Sequence, residues 1–368
     1  MAKKNILEKL EDEVTLARRR VKTDMLSMSI GEIVNKISDK ELILRPKFQR
    51  YFRWGDEQKS NLIESVLINL PIPSIFVSTN NDGKWEVIDG LQRLNTIYSF
   101  VENAFELDEC TYIKSFKGMK YNDFSDKLKL IFRNKRFDFI ILDEASDVNA
   151  KYDMFSRLNT GGSCLSYQEV RNCMMIMKNE DFYDWFDSLK NNIHFKNIVT
   201  DQFSDRYRDQ QKDLEMVLKF LAIRNTIGST FDFVSSNSFL DSQAMIMCAD
   251  KEYDRETNKK AFEETFKLLD DALGQGAFKK YDVNSNQFNG PINFSIYEIL
   301  IAGIGKNILA WSKAQKTIIK ESLKDKLIKM YSSKEFEQIS KIGTTVSKRL
   351  KNAINYADKV FDSDGIKL

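Results

Sequence analysis

The chain has 368 residues, which is long enough for two domains, because one hydrophobic core rarely grows beyond about 250 to 300 residues. Its hydrophobic fraction of 42% and charged fraction of 30% are those of an ordinary soluble globular protein. The formal net charge of +2 argues against a protein that coats nucleic acid, although it leaves local basic patches open.

Cysteine usage and hydropathy predict a cytoplasmic protein. The four cysteines lie far apart and form no Cys-x-x-Cys pair, which fits a reducing compartment and gives no zinc-ligand spacing. The first residues include acidic side chains where a secretory signal needs an apolar stretch. The longest apolar run, residues 296–311, contains Glu298 and Lys306, so we expect no membrane span.

The first 163 residues alternate between helical and strand patterns. Helices are predicted over residues 6–22, 30–37, 57–69, 91–103 and 147–159. Strands are predicted over residues 41–44, 74–79, 84–89 and 137–143. An Asn-Asn-Asp-Gly turn at residues 80–83 makes the second and third of these strands a hairpin. This mixture indicates an α+β domain.

After residue 163 the pattern becomes helical throughout. Ser166-x-x-Glu169 is a capping box that opens a helix over residues 167–178. Further helices are predicted over residues 211–226, 257–273, 293–312, 314–331 and 334–361. We therefore predict an N-terminal arm over residues 1–24, an α+β domain with a small mixed sheet over residues 25–163, and an all-α domain over residues 164–368.

The segment WEVIDGLQRLNTI combines a strand, a one-glycine turn and a helix start, an arrangement that can bind an anion. A helix N-terminus offers N–H groups and a partial positive charge, and Gly90 has no Cβ to hold a phosphate away from the backbone. Arg93 lies in the first helical turn and could add bidentate contacts to phosphate. Asp89 could hold Mg²⁺ or orient water, and Gln92 could position that water.

The same turn has a plainer interpretation. In it, Asp-Gly serves only as a strand-to-helix connection, with Arg93 paired to a surface carboxylate. The sequence contains no Walker A loop ending in Gly-Lys-Ser or Gly-Lys-Thr, so this is not a P-loop enzyme. Spacing alone leaves both interpretations open.

Three further stretches occur in the expected order: a basic aromatic loop before the turn, a helix end with a Gly-Gly loop after it, and Asp213-Leu-Glu215 with Phe220-Leu-Ala-Ile-Arg224 at the start of a long helix. A basic aromatic loop over residues 45–54 carries four cations and no acid, and a Pro-Ile-Pro segment occupies residues 71–73. A helix end followed by a Gly-Gly loop occupies residues 155–162 and could close over a ligand. Together, Phe-Gln-Arg-x-x-x-Trp, Pro-Ile-Pro, Ile-Asp-Gly-x-Gln-Arg-Leu-x-Thr-Ile and Phe-x-x-Leu-Asn-Thr-Gly-Gly resemble the GmrSD-type N-terminal domain family over roughly residues 25–240.

This resemblance implies a ParB/sulfiredoxin-like fold and an NTP-binding, NTP-hydrolysing component of a prokaryotic restriction or anti-phage defence system. It implies catalytic roles for Asp89, Gln92 and Arg93, with Asp89 also a ligand for Mg²⁺. The expected nucleotide-binding residues are Gln49, Arg50, Asp89, Gly90, Leu91, Gln92, Arg93, Asn159, Gly161 and Gly162. The chain departs from the family motif at its third position, where Leu91 replaces the usual Gln.

In the family, hydrolysis is typically coupled to a nuclease with an His-Asn-His site. This sequence has a single histidine, His194, so we expect any nuclease to be a separate partner. The alternative function is a non-catalytic DNA-binding or DNA-sensing module that acts with such a nuclease. Its candidate contacts share one face of the helix predicted over residues 314–331 and its approach: Lys313, Lys316, Lys320 and Lys324. A solvated helix would show the same stripe. The base preference and the oligomeric state stay open.

Overall fold

The computed structural model describes residues 9–15, 23–44, 54–80, 82–142, 166–226, 235–282, 284–340, 346–362 and 365–366. The chain divides into two compact units, Met1–Cys164 and Leu165–Leu368. Within the predicted N-terminal arm, residues 9–15 form a helix, α1. The predicted helix over residues 147–159 lies outside the described residues.

A five-stranded mixed sheet organises the first unit. Its strands are β1 (Thr23–Ser29), β2 (Leu42–Ile43), β3 (Ile75–Thr79), β4 (Trp85–Asp89) and β5 (Arg136–Leu142). They lie in the order β1-β5-β3-β4-β2. The pairs β1–β5 and β3–β4 are antiparallel, whereas β3–β5 and β2–β4 are parallel. The predicted α+β class with a small mixed sheet is confirmed.

Four helices accompany this sheet, and one of them begins directly after β4. They are α2 (Ile30–Ser38), α3 (Asp56–Leu67), α4 (Leu91–Val101) and α5 (Asp126–Arg133). In α4, Leu94, Ile97 and Phe100 recur every third residue and are fully buried. Their apolar stripe packs the helix into the core, and this fixes where its N-terminus lies.

Among the described residues of the first unit, strand β1 and helix α5 were not predicted from the sequence. Strand β1 is an edge strand in which five of seven residues are exposed, so its burial pattern carries no alternation. Its pairing with β5, more than one hundred residues later, determines its conformation. Helix α5 buries only Phe132, and its other apolar residues, Leu128, Leu130 and Ile131, are exposed.

The second unit is helical, as predicted. Its helices are α6 (Tyr167–Lys178), α7 (Glu180–Leu189), α8 (Ile193–Ile198), α9 (Asp205–Asp209), α10 (Lys212–Asn225), α11 (Ser236–Ala249), α12 (Arg255–Leu273), α13 (Phe294–Leu300), α14 (Lys313–Tyr331), α15 (Lys334–Ser340) and α16 (Val346–Val360). A π-helical turn, Ile301–Gly305, follows α13. The helix predicted over residues 293–312 is therefore not a continuous α-helix.

Two short hairpins interrupt the predicted all-α unit. One pairs β6 (Lys280–Asp282) with β7 (Gln287–Asn289), and the other pairs β8 (Phe361–Asp362) with β9 (Gly365–Ile366). Strands of two or three residues are too short to show an alternating pattern in sequence. The unit is thus helical with two small β-ribbons.

A buried chain of alternating charges runs through the second unit. The fully buried Glu298 accepts hydrogen bonds from Lys219 Nζ at 3.1 Å and from Arg349 Nη2 at 2.9 Å. Lys219 also lies 3.5 Å from the Glu215 carboxylate, which accepts a bond from Lys212 at 2.7 Å. Helices α10, α13 and α16 are therefore joined by buried ion pairs. Removal of any one partner would leave a charge in the protein interior without compensation.

Glu215 responds strongly to this environment. Burial alone would raise its pKa, but the positive charges of Lys219, Lys212 and Arg171 outweigh burial and lower the pKa to about 2, from an ordinary value of 4.5. A carboxyl group whose pKa is lower in the folded state stabilises the fold above its unfolded pKa. That stabilisation is lost as the pH falls from about 4.5 towards 2.

We predict that Glu215→Gln lowers the free energy of unfolding at pH 7 by up to about 3 kcal/mol, because the paired charge is lost. Urea unfolding at pH 7, 4 and 3 should show the gap in unfolding free energy between variant and wild type narrowing, because the carboxyl of the unfolded wild type is protonated below pH 4.5 while that of the folded protein stays largely ionised. Glu321→Gln, at an exposed position on α14, is the control and should have little effect. A gap that is constant across this pH range would contradict the assignment.

Candidate functional site

The turn between β4 and α4 consists of a single residue. Strand β4 ends at Asp89, α4 begins at Leu91, and Gly90 between them is the N-cap. Gly90 has φ 94° and ψ 11°, a left-handed conformation that costs other residues energy. Because the chain reverses within one residue, the strand end and the helix N-terminus lie side by side.

Packing gives a second reason for glycine at this position. A Cβ on Gly90 would overlap Cδ1 of Ile75 and lie 3.2 Å from Nη2 of Arg93. Close approach of a phosphate is therefore not the sole reason for a glycine here. The structure shows that Ile75 and the Arg93 guanidinium occupy the space beside Gly90. The fold itself therefore requires glycine here.

The Arg93 guanidinium joins three segments. Its Nη2 donates to Asp89 Oδ2 at 2.8 Å, while Nη1 donates to the carbonyl oxygens of Pro73 and Ser74. The Arg93 side chain is 12% exposed and that of Asp89 is 30% exposed. Burial lowers the pKa of the guanidinium, and the charge of Asp89 raises it. The carboxylate partner that the plainer interpretation expected for Arg93 is thus Asp89, within the same turn.

The other residues of the predicted motif occupy different environments. Gln92 accepts a hydrogen bond through Oε1 from the backbone N–H of Trp54 at 3.3 Å, which brings the end of the basic aromatic loop to the turn. Leu91 is buried, so its backbone is the part that a ligand could contact. The remaining predicted nucleotide-binding residues lie outside the described residues: Gln49, Arg50, Asn159, Gly161 and Gly162.

Sequence reasoning missed the two carbonyl groups that hold Arg93. Pro73 and Ser74 precede β3, and their carbonyl oxygens face the guanidinium. The Pro-Ile-Pro segment contributes to the family resemblance, but its residue types do not indicate this contact. A backbone carbonyl leaves no signal of its own in a sequence, so this contact could not have been found from residue types.

The lysine stripe on α14 is only partly free to meet an anion. Lys316 pairs with Glu264, and Lys320 lies 3.8 Å from Asp271, both on α12. Lys313 and Lys324 are exposed. The apolar face of α14 lies beside this stripe and is buried, and its residues are Ile319, Leu323, Leu327 and Met330.

The described ranges contain no group of three or more His, Cys, Asp and Glu side chains placed to hold a metal ion. No helix among them is both long and apolar enough to cross a membrane.

The comparison with protein families bears on the turn directly. Residues 30–176 match the family model described as GmrSD restriction endonuclease, N-terminal domain. This part of the chain is therefore similar to the GmrSD N-terminal domain family. The match includes the whole segment from β4 to α4, and it places the GmrSD N-terminal domain in a restriction and defence context. No curated protein and no solved structure matches the chain.

We predict that Gly90→Ala lowers the free energy of unfolding by about 2 to 4 kcal/mol, because about 1 to 2 kcal/mol of backbone strain adds to overlap with Ile75. Gly118→Ala is the matched control, since Gly118 also has a positive φ but no described atom within 4 Å of a Cβ. It should show the backbone cost alone. Equal losses in the two variants, measured by urea unfolding, would rule out the packing role.

Proposed function

We propose that the GmrSD N-terminal domain binds a nucleoside triphosphate at the Asp89–Arg93 turn and hydrolyses it, as part of a prokaryotic restriction or anti-phage defence system. The observation that carries this proposal is the meeting of a helix N-terminus, a largely buried guanidinium and a carboxylate within five residues. The family context supports it independently.

The N-terminus of α4 favours an anion for two physical reasons. The first N–H groups of any helix have no partner within the helix, and the helix dipole adds positive potential there. Gly90, as N-cap, has no side chain with which to cap those groups. A phosphate oxygen could accept hydrogen bonds from the backbone of Leu91 to Arg93, as in other helix-terminal phosphate sites.

Arg93 would have to exchange partners when a nucleotide binds. In the structure it donates to Asp89 and to the Pro73 and Ser74 carbonyls. A polyphosphate carries more negative charge than one carboxylate and matches the planar guanidinium, so it can compete for Nη2. Loss of the Arg93 ion pair would release Asp89 for a second role.

The released Asp89 carboxylate fits Mg²⁺ as one ligand among several. Mg²⁺ is commonly bound by one or two carboxylates together with water and substrate phosphates, and it neutralises the charge of those phosphates. Gln92 would position the attacking water, and its side chain is held at the turn by Trp54. Gln49 and Arg50 would close the far side of the site, and Asn159, Gly161 and Gly162 would form its rim.

A second candidate function is DNA binding or sensing without hydrolysis, in concert with a separate nuclease. Lys313 and Lys324 are exposed on α14 and could contact DNA phosphates. The ion pairs of Lys316 and Lys320 with α12 reduce the positive charge that this helix offers. We therefore place nucleotide hydrolysis first.

We predict that Arg93→Ala raises the dissociation constant for NTP–Mg²⁺ at least tenfold, because a charge-assisted phosphate contact contributes about 1.5 to 3 kcal/mol. Isothermal titration with each NTP measures this change. Since Arg93 also holds the Pro73–Ser74 segment, melting temperature is recorded in parallel, and Arg93→Lys keeps the charge if the alanine variant does not fold. Arg133→Ala, at an exposed arginine on α5, is the control. A folded Arg93→Ala protein with unchanged affinity rejects the site.

We predict that Asp89→Asn retains nucleotide binding but lowers the rate of phosphate release by roughly 100-fold, because it removes the group that orients water or Mg²⁺. A phosphate-release assay with each NTP, with and without DNA, measures the rate. Wild-type protein that releases no phosphate, yet binds DNA with a steep dependence on salt, would favour the second candidate function.

A further inference from the structure

The two faces of the sheet in the first unit differ in how they are covered. On one face, Ile75, Val77 and Phe139 are fully buried. On the other, the strand register places Met25, Ile140, Phe76 and Asp89 next to one another across β1, β5, β3 and β4. Directly paired residues lie on the same face of a sheet. These four residues form a row, which we call the Phe76 row.

On the central strands, the side chains of the Phe76 row are more exposed to solvent than those of the next row. Phe76 and Ile140 are partly exposed, and Met25 is 68% exposed. In the next row on the same face, Leu142, Ser78 and Glu86 on β5, β3 and β4 are buried, while Thr23 and Ile43 on the outer strands β1 and β2 are exposed and half-buried. Accessible apolar surface on β3 and β5 therefore borders Asp89, the carboxylate of the proposed phosphate site.

We propose that the Phe76 row receives the base of the bound nucleotide, with the base stacked on the Phe76 ring and in contact with Ile140. This inference rests on the proposed function and assigns the nucleoside end of the same site. Neighbouring strands lie about 5 Å apart, so Phe76 and Ile140 are about 5 and 10 Å from β4. These distances suit a nucleotide whose terminal phosphates bind at Arg93, because the ribose and the inner phosphates lie between those phosphates and the base.

The side chains of the Phe76 row determine which bases are accepted. An aromatic ring stacks on the π-face of every base, and neither Phe76 nor Ile140 has a hydrogen-bonding side chain. The platform therefore selects for a flat aromatic group and discriminates little between bases. Larger bases gain more contact area, so purine nucleotides bind somewhat more tightly than pyrimidine nucleotides.

The test compares a nucleotide with inorganic tripolyphosphate, which has the phosphates but no base. Both ligands are titrated with Mg²⁺ into wild type, Phe76→Ala and Phe76→Tyr. We expect Phe76→Ala to weaken NTP binding at least fivefold and to leave tripolyphosphate binding unchanged, while Phe76→Tyr retains both. Leu26→Ala is the control, because Leu26 is 44% exposed on the opposite face of the edge strand. Melting temperatures show that each variant is folded.

The outcomes separate the two proposals. If wild type binds tripolyphosphate as tightly as NTP, or if Phe76→Ala leaves NTP binding unchanged, the base placement is overturned and the phosphate site stands. Equal weakening of both ligands by Phe76→Ala also overturns it, since the residue would then act through the turn. Wild type that binds neither ligand overturns the proposed function and the base placement together.

Discussion

The ion pair between Arg93 and Asp89 holds together the part of the molecule in which we place function. The guanidinium ties the end of β4 to the first turn of α4 and to the carbonyl groups that precede β3. Gly90 makes this possible, because any larger residue would collide with Ile75 beside the guanidinium. The site therefore already contains an anion, the Asp89 carboxylate. A ligand can bind Arg93 only if it interacts with the guanidinium more strongly than Asp89 does. A polyphosphate meets that condition, whereas a singly charged anion gains little from the exchange.

Much of the first unit could be predicted because its signals are local. The hairpin between β3 and β4 follows from an Asn-Asn-Asp-Gly turn, and α4 follows from apolar residues at helical spacing. Strand β1 could not be predicted, since its residues acquire their conformation by pairing with β5. The π-helical turn after α13 could not be predicted either, because its residues are isoleucine, alanine and glycine and carry no local signal for a change of helix type. Elements with a local sequence pattern could thus be predicted, whereas the conformation of β1 depends on residues far away in the sequence.

The candidate site likewise contains some contacts that the sequence predicts and others that depend on the tertiary structure. Asp89 and Arg93 lie on either side of the one-residue turn at Gly90, so the strand, turn and helix that the sequence predicts already bring them close together. The Pro73 and Ser74 carbonyls and the Phe76 row depend on strand register, which the sequence does not specify across distant strands. Lys316 pairs with Glu264, which lies 52 positions away in the sequence. This ion pair reduces the positive charge that the lysine stripe can offer to DNA, and the sequence of the helix alone does not reveal it. Charge patterns on a single helix are therefore weaker guides than compact motifs.

The buried Glu298 has a consequence for the order in which the second unit is completed. Its bidentate partner Arg349 follows it by 51 residues and lies on α16. During synthesis, the segment that carries Glu298 leaves the ribosome well before Arg349 does. Until Arg349 arrives, Glu298 can be buried only against Lys219, with part of its charge uncompensated. We therefore expect nascent chains that end before α16 to remain loosely packed around α13, and to close cooperatively once the arginine has emerged.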